Sequence, residues 1–280
     1  MLVTFKYLAK DTPIHRLDPR AKFIFLLCFL LSVTQFWDLR VLLAFFGLAM
    51  GYYALARLPF RETRRAWFFM VFFAVVLVGI NTLFVRGGRR FETEHILFRL
   101  PLLSLPITAE GVVFSAGMIA RMLSIATVAL PIPFTVNPQL YGVAFRKLGL
   151  PDQFAFAMDL AFRFVPTLAR DFFLTLDAQK ARGYEVERLR GGPIAQIRKL
   201  APLIVPVTIN AIVGGEDVVN ALDLRCFGAA KRTWLQELRY TRWDKAVIAF
   251  SLAMLGASTL ANLLGYGGFW LPEWVAGLAK

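Results

Sequence analysis

The sequence predicts an all-α, polytopic membrane protein with about five transmembrane helices and a separate set of amphipathic helices. Hydrophobic residues make up 58% of the 280 residues and the mean hydropathy is +0.58, which is more apolar than a soluble core requires. Several apolar runs also approach the length of about 20 residues that a helix needs to cross the hydrocarbon layer. We therefore expect a multi-pass protein of the cell membrane.

Five apolar runs predict the spans. The first two, residues 23–37 and 41–58, are separated by Asp38-Leu39-Arg40, which predicts a helical hairpin. The other three are residues 66–85, 111–134 and 246–264. Residues 1–134 would then form an N-terminal membrane domain of four spans, and residues 246–280 a last span with an external aromatic tail. The tail carries Tyr266, Phe269, Trp270 and Trp274.

Basic residues predict the orientation, because short loops rich in lysine and arginine stay in the cytoplasm. The N-terminal arm is basic, and so is the loop that carries Arg57, Arg61, Arg64 and Arg65. We therefore expect a cytoplasmic N-terminus. The loop 86–110 would be external, although it also carries arginines. Its Gly87-Gly88 pair and the alternation of Phe91, Thr93, His95 and Leu97 predict a small hairpin cap.

Residues 135–245 differ from the rest of the chain, since charges recur every few residues and prolines interrupt the apolar segments. Leu168, Phe172 and Leu176 share one helical face, which predicts amphipathic helices on the cytoplasmic side, partly sunk into the interface. The run 200–213 is apolar all round but short and carries two prolines. It predicts a helix packed against its neighbours, with a sixth span left open.

Several function classes lack their sequence signals. The net charge of +13 arises from basic residues spread between apolar spans, which is not typical of a nucleic-acid binder. The two cysteines and two histidines have no metal-ligand spacing, so no metal site is expected. No P-loop, nucleophile elbow or catalytic triad is present either. We expect no catalytic residues and no cofactor on this chain.

Two similar arginine motifs carry the strongest functional signal. Arg182 and Arg225 each follow an alanine by four residues, Ala178 or Ala221, and each precedes an aromatic residue by two. One explanation is structural: Arg182 and Gly183 end a helix that starts near Pro166, where arginine suits the helix dipole and glycine provides the cap. The repetition favours binding of a partner at two matching sites, since guanidinium groups bind carboxylates in a bidentate manner.

Arg121 lies near the middle of the fourth predicted span. An ionisable side chain inside a membrane helix is a candidate functional residue, because its insertion is costly and requires a partner. Alternatively, Arg121 ties its helix to carbonyl groups or to a carboxylate of a neighbouring helix, and both explanations stay open. The five predicted spans nearly lack carboxylates, which argues against a proton relay or an ion-coupled carrier.

The N-terminal motif Thr12-Pro13-Ile14-His15-Arg16-Leu17-Asp18-Pro19-Arg20-Ala21-Lys22 resembles that of the transmembrane T component of energy-coupling factor transporters, the EcfT/CbiQ family. The resemblance covers nearly the whole chain. It continues through Arg121 and the segments 135–151, 163–168, 178–183 and 201–203 to the second arginine motif.

The resemblance implies a transport subunit without catalytic activity. Residues 135–245 would form the coupling-helix domain and dock two ABC-type ATPases (A and A'), which bind the ATP and magnesium. A small membrane S component would bind the substrate, a vitamin or a cobalt or nickel ion, and the sequence leaves that substrate open. The implied docking residues are Ala178, Ala181, Arg182, Gly183, Ala221, Arg225 and Phe227.

The second arginine motif departs from the family's Ala-Arg-Gly pattern. Leu224 stands in the place of the alanine and Cys226 in the place of the glycine. We therefore expect Arg225 to be a contact, but we do not expect its backbone to copy that of the first motif. Two further functions stay open at this point. One is an intramembrane enzyme acting on lipid-linked substrates, and the other is a self-sufficient channel or carrier.

Overall fold

The structure is a computed structural model that describes residues 7–8, 10–84, 96–99, 106–184, 193–229 and 237–268. These residues belong to two compact units. The membrane unit comprises the described parts of Tyr7–Asn137 and Arg239–Lys280, and the helical-pair unit comprises the described part of Pro138–Leu238. Helices dominate both units, so the predicted all-α, polytopic fold is confirmed.

The helices in chain order are α1 (Pro19–Thr34), α2 (Leu39–Ala56), α3 (Phe60–Phe84), α4 (Ala109–Ala129), α5 (Ile132–Thr135), α6 (Tyr141–Lys147), α7 (Asp152–Ala181), α8 (Pro193–Leu224) and α9 (Arg242–Leu263). A 3-10 turn, Pro138–Leu140, precedes α6. Two short strands, β1 (Ile96–Arg99) and β2 (Pro106–Thr108), pair in an antiparallel manner between α3 and α4. Gly87, Gly88, Phe91, Thr93 and His95 of the predicted hairpin lie outside the described residues.

Five of the described helices are long and apolar enough to cross a membrane, and they differ in part from the five predicted spans. They are Leu39–Ala56, Phe60–Ile80, Glu110–Thr135, Leu200–Leu224 and Arg242–Leu263. Helix α1 has only 16 residues and falls short of this length. Helix α8 contains the run 200–213 and continues through Gly214 and Gly215 to Leu224, so the sixth span that the sequence left open has the length and composition of a span.

Close packing of small residues and aromatic rings forms the core of the membrane unit. Gly117 of α4 leaves room for α2, since a Cβ atom at this position would lie 3.3 Å from Cδ1 of Leu42. The rings of Phe25 and Tyr52 join α1 to α2, with their centroids 5.0 Å apart. Buried hydroxyls in these helices bond to the carbonyl four residues earlier, as Ser124 does to Ala120 at 2.6 Å. Such bonds satisfy polar groups where no water is available.

A buried polar cluster joins the beginnings of α1 and α9. The Asp18 carboxylate accepts hydrogen bonds from Nε and Nη2 of Arg20 at 3.0 and 2.7 Å. Asp244 accepts a hydrogen bond from the Asp18 backbone N–H at 2.7 Å and two more from Thr241, which completes a capping box on α9. The Asp244 side chain is only 1% exposed. Each buried charge in this cluster therefore has bonded partners.

Lys22 extends this cluster to the end of the fourth predicted span. Its Nζ atom donates to the carbonyl and the hydroxyl of Thr135 at 3.0 and 3.3 Å. Asp18, Arg20, Lys22, Thr135 and Asp244 thus form one cluster, which we call the N-terminal polar cluster. The cluster fixes α1, α9 and the chain just before the helical-pair unit begins. Asp244 was not singled out from the sequence, although the pattern Thr241-x-x-Asp244 before an apolar run is a capping-box signal.

Replacement of Asp244 tests the N-terminal polar cluster. We expect Asp244→Ala to lower the free energy of unfolding by about 2–4 kcal/mol, because it removes the α9 cap and leaves the buried Asp18 N–H without a partner. Asp38→Ala is the matched control. Asp38 caps α2 through the Arg40 N–H at 2.8 Å, so its loss should cost only about 1 kcal/mol. Equal effects of the two substitutions in thermal unfolding would contradict the role of the cluster.

Candidate functional site

The two arginine motifs end the two long helices of the helical-pair unit, which pack side by side in opposite directions. Near the C-terminus of α7, Gln179 Nε2 donates to the carbonyl of Pro202 in α8 at 3.4 Å. Near the N-terminus of α7, the ring of Phe156 contacts Phe227, just after α8, with centroids 4.4 Å apart. The helices are therefore antiparallel, and Arg182 and Arg225 lie at opposite ends of the pair.

The Gln179 contact explains how α8 accommodates Pro206. In an uninterrupted helix the Pro202 carbonyl would accept from the N–H of residue 206, but Pro206 has none. The side chain of Gln179 supplies the missing donor. Pro166 is likewise inside α7 and does not begin it, so the prediction of a helix starting near Pro166 was wrong. The helix begins at Asp152, after Pro151.

The first arginine motif, residues 178–184, ends α7 in a Schellman motif. The Gly183 N–H donates to the Lys180 carbonyl at 2.9 Å, and the Tyr184 N–H donates to the Gln179 carbonyl at 3.0 Å. Gly183 has a φ of +85°, in the left-handed region that this motif requires. The C-cap residue is Arg182, and its side chain is exposed. Among the described residues, no carboxylate forms an ion pair with it.

The second arginine motif, residues 221–227, has the same backbone as the first. The Cys226 N–H donates to the Asp223 carbonyl and the Phe227 N–H to the Leu222 carbonyl, both at 2.9 Å. Cys226 takes the left-handed conformation with a φ of 52°. The expectation that this motif does not copy the first was therefore wrong. The hydrogen bonds of the helix end hold a non-glycine residue in a conformation that costs about 1–2 kcal/mol.

The docking residues implied by the family resemblance are mostly exposed. This holds for Ala178, Ala181, Arg182, Gly183, Ala221 and Arg225. Phe227 is half-buried, and its ring packs on Phe156. The structure thus places Phe227 as a support beneath the second motif, with Arg225 at the surface.

Two other helix ends have the same backbone but a leucine at the C-cap. Helix α6 ends at Leu148-Gly149-Leu150 and α9 at Leu264-Gly265-Tyr266, with the matching pairs of hydrogen bonds. Gly149 and Gly265 have φ values of +107° and +88°. This helix end therefore recurs in the described part of the chain, and an arginine in place of leucine at the C-cap distinguishes the two arginine motifs from the other two ends of this kind.

The antiparallel arrangement separates the two arginines by a large distance. Residues 156 and 182 mark the two ends of the pair along α7, and a rise of about 1.5 Å per residue places the arginine motifs roughly 40 Å apart. Between the motifs, α7 and α8 border an open apolar groove of about 560 Å³. The groove is lined by Leu160, Phe164, Gly215, Val218, Val219 and Leu222, together with Glu216 and Asn220.

Arg121 lies in the membrane unit, in contact with the turn between α1 and α2. Its guanidinium donates a hydrogen bond to the Phe36 carbonyl and lies over the Trp37 ring, 4.2 Å from the centroid. The Trp37 ring also stacks on Phe114 at 5.4 Å, and its backbone N–H donates to the Gly267 carbonyl at 3.2 Å. Arg121 therefore holds the turn through a carbonyl group and an aromatic ring.

No group of three or more potential metal ligands occurs among the residues that the structure describes. The two arginine motifs lie in the helical-pair unit, and the Arg121 contact lies in the membrane unit. The chemistry available there is recognition of an anionic surface by exposed guanidinium groups.

The residue in the left-handed conformation is Gly183 in the first arginine motif and Cys226 in the second. This difference gives a test of the motifs. Cys226→Gly should strengthen the end of α8 by about 1 kcal/mol, because glycine adopts this conformation without a Cβ clash. Hydrogen exchange of the Phe227 amide should slow by about fivefold. Cys226→Ala is the control, since it removes the thiol and keeps the Cβ atom. If alanine slowed exchange as much as glycine, the thiol and not the backbone would be responsible.

Comparison with known proteins agrees with the sequence resemblance. The family model CbiQ, described as cobalt transport protein, matches residues 10–234. The energy-coupling factor transporter transmembrane protein EcfT of Thermosediminibacter oceani is 30% identical over 90% of this chain and 95% of its own length. The EcfT protein of Heliobacterium modesticaldum is also 30% identical, over 86% of this chain and 90% of its own, and that of Thermanaerovibrio acidaminovorans is 26% identical over 93% and 96%. The chain is therefore a multi-pass membrane protein that belongs to the EcfT/CbiQ family.

Proposed function

We propose that this chain is the transmembrane energy-coupling subunit of an ATP-driven importer and docks two ABC-type ATPases through Arg182 and Arg225. One observation carries the proposal: two exposed arginines stand on the same helix-end backbone at opposite ends of one antiparallel helix pair. Each ATPase would offer a carboxylate-lined groove to one arginine. The chain itself has no catalytic role, and ATP and magnesium bind to the ATPases.

The helix pair suits the transmission of force. Its helices have 30 and 32 residues and contact each other at both ends, so we expect a displacement at one end to be transmitted along the pair. When ATP closes the two ATPases on each other, both arginine motifs are displaced. A desolvated charge pair at each motif resists separation during this motion, because truncating one partner costs about 2–5 kcal/mol.

The α7–α8 groove is the surface that we assign to the substrate-binding S component. Apart from Glu216 and Asn220, its lining is apolar along both helices. Movement of α7 and α8 would then reorient the S component in the bilayer. Substrate choice rests with that component. The description of the matching family model, cobalt transport protein, favours a cobalt ion, and the family resemblance of the sequence also allows a vitamin or a nickel ion.

The placement of basic residues supports a cytoplasmic N-terminus. In the membrane unit, Lys10 donates to the carbonyl of Arg57 at 3.4 Å, so the N-terminal arm lies against the end of α2. The N-terminal polar cluster brings the start of α9, with Arg239, Arg242 and Lys245, to the same side. Basic residues from three separate chain segments thus share one side, as the positive-inside rule requires of the cytoplasmic face.

Substitution of the arginines tests the docking assignment. We expect Arg182→Ala or Arg225→Ala to weaken association with the ATPases by about 2 kcal/mol or more, which is roughly thirtyfold. The double variant should lose ATP-driven uptake. Arg182→Lys should have an intermediate effect, because lysine keeps the charge but not the bidentate geometry. Co-purification with both ATPases and uptake into liposomes are the measurements.

Arg170→Ala is the matched control, since Arg170 is an exposed arginine of α7 outside both motifs. It should leave association unchanged. If the double variant still held both ATPases and coupled ATP hydrolysis to uptake, the docking assignment would be wrong. Uptake by the lone chain without ATP would instead favour a channel or carrier, and turnover of a lipid-linked substrate would favour an intramembrane enzyme.

Cysteine labelling tests the orientation. In a chain with Cys28→Ala and Cys226→Ala, an impermeant maleimide should label Arg61→Cys only from the cytoplasmic side. It should label Tyr266→Cys only from the outside, because Tyr266 follows the far end of α9 and is 73% exposed. The reverse pattern would contradict the orientation without affecting the docking assignment.

A further inference from the structure

The outer face of α3 combines a basic end with a run of exposed phenylalanines. Its inner face is defined by contacts: Thr63 bonds to the Tyr53 hydroxyl at 2.7 Å, and Trp67 packs edge-on against the Tyr53 ring at 5.5 Å. Ala74 and Val78 continue this buried side. The opposite side of the helix is therefore left for the surroundings of the protein.

Arg64, Arg65, Phe68 and Phe69 line a shallow groove of about 320 Å³ on this outer face. Both arginines are exposed, and Phe68 and Phe69 are each 69% exposed. The groove continues along the helix axis, because the Phe68 ring stacks on Phe72 with centroids 6.1 Å apart and planes 10° apart. One end of the groove is thus cationic and the remainder is aromatic.

The two guanidinium groups are not neutralised within the described part of the protein. No described carboxylate forms an ion pair with Arg64 or Arg65, and the one acidic residue in the first turn of α3 is Glu62. A guanidinium group binds phosphate oxygens in a bidentate manner. A free phosphate would leave the phenylalanines unused, whereas a phospholipid would place its acyl chains along them.

We propose that Arg64, Arg65, Phe68 and Phe69 form a binding site for the headgroup and upper acyl chains of an anionic phospholipid. The arginines bind the phosphate, and the rings contact the chains. The charge of the groove selects anionic over zwitterionic lipid, because a zwitterionic headgroup carries its own compensating cation. Each basic residue near a membrane surface strengthens binding of anionic lipid. This site involves neither arginine motif and is independent of the docking proposal.

Lipid retention tests the site. The purified full-length protein, with any bound partners, is placed in nanodiscs of equal phosphatidylglycerol and phosphatidylcholine, and the lipids that survive mild delipidation are quantified. We expect roughly thirtyfold enrichment of phosphatidylglycerol on the wild type, given two basic residues at the headgroup. Arg64→Gln with Arg65→Gln should reduce the retained ratio to that of the bulk bilayer. Phe68→Ala with Phe69→Ala should lower total retention of both lipids.

Arg170→Gln with Lys147→Gln is the matched control, since it removes two charges from exposed positions of α7 and α6 that lie outside both arginine motifs. It should leave the enrichment unchanged. Thermal unfolding in pure phosphatidylcholine discs confirms that each variant is folded, as substitution of exposed side chains should allow.

Three outcomes would overturn the proposal. The first is equal enrichment on the wild type and on the Arg64→Gln, Arg65→Gln variant. The second is displacement of phosphatidylglycerol by soluble glycerol phosphate, which would identify a soluble anion as the ligand. The third is a photo-crosslink from position 68 to a polypeptide in place of lipid, which would show that a protein partner covers this face.

Discussion

A backbone carbonyl or amide at membrane depth must find its hydrogen bond inside the protein, because the hydrocarbon layer offers no water. Helix α1 makes this constraint acute. The helix has 16 residues and extends over roughly 24 Å, which is less than the about 30 Å of the hydrocarbon layer, so the turn after α1 needs internal partners. Arg121 bonds the Phe36 carbonyl, and Gly267 accepts from the Trp37 N–H. In the sequence, Arg121 is a candidate functional residue. In the structure, it supplies a hydrogen bond to the backbone of the turn after α1.

The need for a hydrogen-bond partner of the backbone also shapes other parts of the protein. Pro206 leaves the Pro202 carbonyl without its usual donor, and Gln179 supplies one from the neighbouring helix. The hydrogen bond that replaces the missing donor in α8 therefore also joins α8 to α7. In the N-terminal polar cluster, the Asp18 N–H bonds to Asp244, which caps α9 at the same time. In each case, one polar side chain both satisfies the backbone and fixes two helices against each other.

The two arginine motifs show how a structural and a functional explanation coexist. The Schellman hydrogen bonds account for the glycine and the following aromatic residue, and they recur at the leucine-capped ends of α6 and α9. They do not account for an arginine at the C-cap. The second motif has the same backbone as the first, although Cys226 is an unfavourable residue in the left-handed conformation. The backbone geometry and the arginine thus occur together in both motifs.

The sequence by itself determined the helical class, most span positions and both arginine motifs, because these depend on local composition and on spacing along one helix. It also contained the Thr241-x-x-Asp244 signal, which was missed. The tertiary structure alone decided that α8 continues past its prolines and that Cys226 copies Gly183. It also decided that the Phe227 ring packs on Phe156 beneath the second arginine motif, and that Arg121 donates a hydrogen bond to the Phe36 carbonyl. Each of these depends on a partner far away in the chain or on a backbone held by its hydrogen bonds, and such partners are fixed only when the helices pack.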